Sequence, residues 1–490
     1  MTGENIISMY KEDAPFPVYD IRFWWSDAWN PLEFGQEVDH GKSFFEQMQS
    51  LSVRVPRPAN VVVQSDNSDY CNYCFETRNS YLIGGSVRNE DCAFGHIVWD
   101  SKNCVDCLHV FRCELCYECI ASSDCYAICY AKDCENCSDS WYLDDCVGCK
   151  SCFGCVGLRN KEYHIFNIPH SKDDYETTMQ KLLQTPVEVK DRMKELQKTH
   201  IVKCLRSIGS ENVTGDYILN SRNIRSSFDL KNCEDCAYCG TLNGFKDAMD
   251  CDYAATPSEL TYNSMTSYGY AILCSSNCMA VSSNLTYCDT CFSCKNCFGC
   301  IGMRNAQFCI LNKQYSQEDF EQLAAKIVEK MKSDAEWGTF FPSSLCPFGY
   351  NETLAFEFFP LTKEQAIESG FSWSDYNPPP PQAQKTIPAS ALPGNIEDVP
   401  DDILHWAISC EVSGRPFKLI KLELDFYRKM KLTVPRMHPD ERHRQRMSVR
   451  NPRVLHNREC AKCSKAIETI YTPDRPEIVY CEECYLKEVY

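Results

Sequence analysis

The sequence predicts a mainly β protein, in which a duplicated parallel β-solenoid of about 21 residues per coil carries inserted helices and terminal zinc-finger modules. Three observations predict this fold class. Cysteines recur at a fixed spacing, the recurring block occurs twice, and the chain ends in two CxxC pairs. Since 35 of the 490 residues are cysteine, their placement organises the whole chain.

The cysteine spacing is the first observation. First positions recur every 21 residues, a second column lies 12 residues further on, and companion positions follow three residues later. The two main columns are Cys71, Cys92, Cys113, Cys134 and Cys155, and Ile83, Cys104, Cys125 and Cys146. Such a repeat is too short for a helix pair and suits short strands, with cysteine as a small apolar residue stacked between coils. Asp or Asn often precedes a column cysteine, which is typical of turns because both tolerate unusual φ.

The duplication is the second observation. The block from Cys149 to Asn160 reappears 145 residues later, from Cys294 to Asn305. Each copy is followed by a serine and acidic residues, at Ser171 and Ser316, which predicts a helix start. Apolar spacing over 171–203 predicts a helical insert that Pro186 splits into two helices.

The C-terminal CxxC pairs are the third observation. Cys460, Cys463, Cys481 and Cys484 have the spacing of a zinc finger, in which four thiolates complete a tetrahedral Zn²⁺ site. All four positions are filled by protein, so the predicted zinc is structural.

Two further regions resemble worn fingers. Residues 1–49 align with the C-terminal finger without its cysteines, so we expect the finger shape, held by Phe16, Trp24 and Trp25, without metal. Cys410, His438 and His443 are candidate remnants of a second zinc site. Ser413 stands where the CxxC partner of Cys410 would be, which weighs against that site.

Charge is strongly segregated along the chain. The net charge of -18 argues against wholesale binding of nucleic acid or anionic membrane, yet residues 415–458 hold thirteen Lys/Arg against four Asp/Glu. This stretch is either a solvated helix face or a surface for nucleic-acid phosphates. The candidate phosphate contacts are Arg436, Arg442, Arg444 and Arg446.

The cysteine ladders allow three interpretations: packing of thiols in the solenoid interior, metal or cluster binding, and thiol redox chemistry. Apolar replacements such as Ile83 and Ile128 favour packing. The sequence has neither a membrane-length apolar run nor a signal-peptide pattern, so we expect reduced thiols in the cytoplasm.

These observations divide the chain into six predicted segments. They are a degenerate finger module (1–49), a first solenoid array (50–170), a helical insert (171–207), a second array (208–313), a helix with a Pro-rich linker (314–394), and a basic module with the zinc finger (395–490).

The chain resembles a family of cysteine-rich zinc-finger and solenoid proteins found in bacteria of the candidate phyla radiation. The stretches that carry the resemblance are 297–302, 347–353, 400–404 and 474–481. Some members of that family carry a CaiB/BaiF label that implies coenzyme A transfer, and no residues here support that activity. The family often begins with an intact zinc finger, which this chain lacks.

The function expected from the sequence is that of a non-enzymatic zinc-binding scaffold with a protein partner. No nucleophile-elbow, P-loop, dinucleotide-binding or HExxH pattern is present in the sequence. The alternatives are a nucleic-acid or ribosome-associated protein acting through residues 415–458, and a thiol redox or metal-storage protein using the ladders.

Overall fold

The computed structural model describes residues 5–254 and 256–489, so the first residues of the predicted module 1–49 lie outside the described range. Parallel strands dominate, with helices inserted between them. The α-helices, α1 to α10, are Ile21–Trp25, Phe44–Ser52, Lys172–Leu182, Pro186–Thr199, Gln317–Ser333, Leu354–Phe358, Lys363–Glu368, Lys421–Met430, Pro439–Ser448 and Glu482–Val489. Short 3-10 helices are Pro31–Phe34, Ser343–Leu345, Tyr350–Glu352, Ala389–Ala391, Ile396–Asp398 and Asp401–His405.

The first group of parallel strands, here called the first stack, winds with a constant register. Its strands are Val62–Val63, Asn72–Phe75, Gly84–Val87, His96–Trp99, Lys102–Val105, Leu108–Phe111, Glu114–Tyr117, Ile120–Ser123, Tyr126–Lys132 and Ser138–Asp144, closed by the hairpin His164–Ile165 and Ile168–Pro169. Paired residues are 12 apart, as in Gly84 with His96 and Tyr126 with Ser138.

The predicted coil of about 21 residues is therefore wrong, because the chain returns over itself every 12 residues. The physical reason is a shorter unit of three residues. Every third residue of the first stack points inward, and the inward set contains all of the predicted column cysteines. Since 21 and 12 are both multiples of three, cysteines confined to inward positions recur at both spacings.

Each three-residue unit ends in a left-handed corner. Asp91, Asn103 and Asp133 have φ of 54°, 50° and 55°, and the pattern continues at every third residue along the stack. The turn role predicted for the Asp and Asn before column cysteines is confirmed. Left-handed φ is least costly for Gly, Asn and Asp, so these residues favour the corners.

The inward residues have a hydrogen-bonding role that explains their identity. The backbone N–H of an inward residue points into the stack, where the hydroxyl or thiol 12 residues earlier accepts it. Cys92 N donates to Ser80 Oγ at 3.3 Å and Cys113 N to Ser101 Oγ at 3.1 Å. A buried N–H without an acceptor is costly, so Cys and Ser are favoured over Ala at these positions.

A second stack repeats this winding less regularly. Its strands are Ser207–Ile208, Glu211–Leu219, Arg222–Lys231, Glu234–Ala237, Gly240–Asn243, Phe245–Ala254, Ser258–Met265, Tyr270–Leu273, Ser283–Thr286, Lys295–Phe298, Gln307–Ile310 and Lys313–Gln314. Four of these strands, Arg222–Lys231, Glu234–Ala237, Phe245–Ala254 and Gly240–Asn243, pair in a closed ring. The register changes where Phe245 pairs with Ser258 and again where Glu259 pairs with Tyr270.

The predicted helices are confirmed. Ser171 Oγ accepts from Asp174 N at 3.2 Å and Ser316 Oγ from Asp319 N at 3.1 Å, which starts α3 and α5. Pro186 is the first residue of α4. Helices α3 and α4 cover Phe153 and Ile165 at the end of the first stack, while α2 and α5 cover Phe298 and Ile310 of the second.

Short strands tie the ends of the chain to the stacks. Val18–Tyr19 pairs in parallel with Arg57–Pro58, and Ile478–Tyr480 with Ile201–Lys203. Lys385–Pro388, Trp406–Ser409 and Pro416–Phe417 form a three-stranded sheet, and His456–Glu459 forms a hairpin with Ala466–Thr469. Among the described residues no helix combines the length and apolar character needed to cross a bilayer.

Candidate metal centre

The four predicted zinc ligands lie together. The sulfur atoms of Cys460, Cys463, Cys481 and Cys484 are all within 4.8 Å of one another, and Cys463 Sγ lies 3.8 Å from Cys481 Sγ. Cys460 and Cys481 are buried, Cys484 is half-buried, and Cys463 is exposed. This cluster has the number, type and spacing of groups that hold a metal ion.

Local backbone geometry places each sulfur. Cys460 and Cys463 occupy the tight turn between the strands His456–Glu459 and Ala466–Thr469, where Cys460 N donates to Lys465 O and Ser464 N donates to Cys460 O, both at 2.9 Å. Ser464 has φ of 60°. Cys481 and Cys484 lie at the start of α10, so one turn of helix brings both sulfurs to the same side.

Electrostatics at the cluster are uneven. Burial raises the pKa of the Cys460 thiol, but backbone N–H groups of Cys481, Cys463 and Lys462 point at the sulfur and bring that pKa down to about 6. Burial and the neighbouring thiols raise the pKa of Cys484 to about 12. A cation at the cluster would favour the thiolate at every position.

The finger is docked on the body of the protein. Its strand Ile478–Tyr480 pairs with Ile201–Lys203, the lead-in to the second stack. Thr469 Oγ1 donates to Cys204 O at 2.7 Å, and Val202, Cys204, Ile470, Tyr471 and Val479 share one apolar cluster. Arg159, at the end of the first stack, donates to Tyr485 Oη at 3.0 Å. The finger therefore lies where the two stacks meet.

The second predicted metal site is not assembled. His443 Nε2 lies 3.1 Å from Glu357 Oε1, while His438 Nδ1 accepts from Asp440 N at 3.1 Å and caps α9. Cys410 Sγ accepts from Ser413 N at 3.5 Å. Within 5–254 and 256–489, only the four-cysteine cluster brings together three or more potential metal-ligating side chains.

The region around Cys410 nevertheless has the finger's backbone plan. Cys410 N donates to Arg415 O at 3.0 Å and Glu411 N to Arg436 O at 3.1 Å, which matches Cys460 N with Lys465 O and Ala461 N with Val479 O. The helix that follows places His438 and Glu441 where Cys481 and Cys484 stand. His443 was the wrong choice because it lies beyond these two positions. The shared x2 spacing of His438 and Glu441 was the signal that sequence reasoning missed.

The basic segment is largely internal. Arg442 is 1% exposed and its Nη1 lies 2.5 Å from Asp106 Oδ2 and 3.0 Å from Glu423 Oε1. Arg446 is also buried, with Nη1 2.8 Å from Asp106 Oδ1. Arg442 and Arg446 are therefore wrong as phosphate contacts, because acidic groups inside the protein already neutralise them. Arg436 and Arg444 are exposed, and Arg444 pairs with Glu441.

The same segment reaches the second stack. Arg450 Nη2 lies 2.6 Å from Asp229 Oδ1 and Arg453 Nη2 lies 2.9 Å from Asp229 Oδ2. Burial raises the pKa of the Asp229 carboxyl, but Arg450, His109 and Arg453 outweigh it and hold that pKa well below its usual range. Basic residues of the C-terminal region thus link the two acidic stacks, which accounts for the charge segregation seen in the sequence.

The N-terminal module has the expected finger-like ending. Asp20 caps α1 at the place of Cys481, and Val18–Tyr19 pairs with the lead-in strand of the first stack as Ile478–Tyr480 does with that of the second. Trp24 is fully buried and packs on Phe292, whereas Trp25 is 41% exposed. Arg304 donates to the carbonyls of Trp24, Ser26 and Trp29.

The ladder thiols are buried, and no disulfide joins any cysteine within the described ranges. Their S–H groups donate to backbone carbonyls, as Cys104 does to Cys113 O at 3.5 Å and Cys125 to Ser123 O at 3.2 Å. These contacts are those of packed, hydrogen-bonded side chains. Cys346 and Cys463 are the cysteines classed as exposed.

A cleft of about 450 Å³ lies between the stacks. Trp99 and Phe111 of the first stack and Lys231, Tyr253 and Tyr268 of the second are among its lining residues. The Tyr253 hydroxyl meets His96 Nε2 across the junction, and Tyr73 Oη donates to Asn277 Oδ1 at 2.6 Å. These contacts hold the walls of the cleft together.

No protein-family model and no curated protein matches this chain. Among solved structures, one provisionally described as an acetyltransferase from Desulfovibrio desulfuricans G20 is similar over 53% of this chain and 71% of its own, at 11% identity and a TM-score of 0.12. A likeness at that TM-score supports neither a shared fold nor a shared activity.

Proposed function

We propose that this protein is a non-enzymatic scaffold whose two stacks form a β-solenoid with 12-residue turns and whose C-terminal finger is stapled by one structural zinc ion. The observation that carries the proposal is the four-cysteine cluster. A zinc ion bound to four thiolates at about 2.3 Å separates neighbouring sulfurs by about 3.8 Å. That separation agrees with the 3.8 Å between Cys463 and Cys481.

The position of the finger supports a structural role. It contacts the end of the first stack through Arg159 and the start of the second through residues 201–204, so a metal there fixes the geometry of the junction. Long repetitive surfaces such as those of the stacks bind partners by shape. Free, buried thiols suit a reducing compartment, and we propose a cytoplasmic location.

Elemental analysis tests the zinc. We expect about one zinc per chain in the purified protein, and Cys463→Ser should lower that content sharply, because three thiolates bind the ion far more weakly. Cys346→Ser is the matched control, since Cys346 is also exposed but lies outside the cluster. Five or more metal ions per chain would instead favour metal storage in the ladders, and no bound metal would remove the staple.

A further inference from the structure

The two stacks present equivalent outer faces. In the first stack, the outward residues Ala93, Val105 and Tyr117 follow one another at paired positions. In the second stack, Ala237, Met249 and Tyr262 do the same. The repeat of 144–145 residues superimposes these columns, since Glu90-Asp91-Cys92-Ala93 matches Glu234-Asp235-Cys236-Ala237. Each column then runs on to its helix-covered end, at Phe153 and at Phe298.

The face of the first stack is covered by the chain itself. Its apolar cluster includes Leu424 and Tyr427 of α8 together with residues 389–434, and the rings of Tyr117 and Tyr427 lie 5.7 Å apart. The Arg442 guanidinium lies over the Phe94 ring at 4.7 Å and pairs with Asp106. Apolar packing and a charged anchor therefore hold this cover in place.

The equivalent face of the second stack is open. Met249 is 45% exposed where Val105 is fully buried, Tyr262 is 36% exposed where Tyr117 is 4% exposed, and Tyr238 is 47% exposed where Phe94 is 6% exposed. These exposed residues are contiguous on one face. The corner carboxylate equivalent to Asp106 is Asp250, which is exposed and makes no ion pair within the described residues. An apolar face with an unpaired acidic anchor is the mark of a binding surface.

We propose that this open face, formed by Ala237, Tyr238, Met249, Asp250 and Tyr262, docks a protein segment with the chemistry of residues 417–448. Such a segment presents a helix with leucine and aromatic residues and directs a guanidinium at Asp250, as Arg442 does at Asp106. The occupied face of the first stack argues for this partner, because the duplication preserves both the apolar column and the carboxylate. The proposal rests on the scaffold function above and names its binding surface.

The test uses the full-length, zinc-loaded protein and a fluorescent synthetic peptide of residues 417–448, followed by fluorescence polarisation. The first-stack face is already covered in the full-length protein, so the peptide should bind the open face. We expect Met249→Glu and Asp250→Asn each to weaken binding by about tenfold or more. Val281→Glu is the control, since Val281 is 84% exposed on the same stack but lies outside the face. Replacing the peptide's Arg442 by Gln should lose no further affinity once Asp250→Asn is present.

Hydrogen exchange locates the peptide. Protection confined to residues 237–273 supports the proposal, whereas protection at residues 93–141 would show displacement of the chain's own cover and overturn it. Absence of binding up to about 1 mM peptide would also overturn it. A concentration-dependent dimer in sedimentation velocity that Met249→Glu abolishes would assign the face to a second copy instead. Each of these outcomes leaves the zinc content, and hence the staple, as a separate result.

Discussion

At the scale of single residues, the buried arginines decide how the C-terminal region is used. Arg442 is enclosed by Asp106 of the first stack, Glu423 of α8 and the Tyr427 hydroxyl. Burial raises the pKa of the Glu423 carboxyl, and Arg442 opposes that rise. The guanidinium is what makes two buried carboxylates tolerable at this place in the fold.

Replacing Arg442 should therefore be strongly destabilising. We expect Arg442→Met to lower the free energy of unfolding by about 3–5 kcal/mol, since it leaves Asp106 and Glu423 buried without their cation. The exposed Arg436, changed to Met, should cost less than about 0.5 kcal/mol. Denaturant unfolding of both variants measures the difference, and equal midpoints would mean that the pair does not hold the cover on the first stack.

At the scale of elements, a three-residue unit builds the stacks: one inward residue, one outward residue and one left-handed corner. The inward Sγ or Oγ accepts the N–H 12 residues later, and the S–H or O–H donates to a carbonyl. Cys134 shows both sides of this arrangement, since its N–H donates to Ser122 Oγ at 3.3 Å and its S–H to Lys132 O at 3.2 Å. Hydrogen bonding, in addition to size, selects the inward residues.

This account predicts the order of stability in ladder variants. Cys134→Ser should be less destabilising than Cys134→Ala by about 1 kcal/mol or more, because the hydroxyl still accepts the inward N–H. At Ile128, an apolar inward position, the order should reverse, and Ile128→Ala should be tolerated better than Ile128→Ser. Thermal unfolding of the four variants checks both orders. If Ala proved the better replacement at Cys134 as well, packing alone would explain the ladders.

At the scale of the whole molecule, the two ends of the chain close the junctions between the stacks. The N-terminal module contacts the second stack through Trp24 and Arg304, and the C-terminal finger contacts the first stack through Arg159. Arg450 and Arg453 add the link to Asp229. The stacks therefore depend on the terminal modules for their relative placement.

Loss of the metal should have a bounded effect. We expect Cys481→Ser to remove hydrogen-exchange protection from residues 456–489 and also from residues 201–205, because these two segments share a strand pair and an apolar cluster. Residues 71–155 should keep their protection, since each turn of the stack is held by its neighbours. Unchanged protection at 201–205 would contradict the docking of the finger, and loss throughout 71–155 would contradict the independence of the stack.

Sequence alone determined the features that depend on local spacing. These are the four-cysteine cluster, the helices beginning at Ser171, Pro186 and Ser316, the duplication, and the left-handed role of Asp and Asn before the ladder cysteines. Each follows from residues a few positions apart, or from direct comparison of two stretches of the chain.

Only the tertiary structure decided the length of a turn, the fate of the basic segment and the second metal site. Several periods fit cysteines at every third position, and the 12-residue turn is selected by strand pairing between coils. Whether Arg442 meets a phosphate or a buried carboxylate depends on Asp106, which lies more than 300 residues away in the chain. Sequence spacing carries no signal for such contacts, because their partners are brought together only when the stacks and the C-terminal region pack.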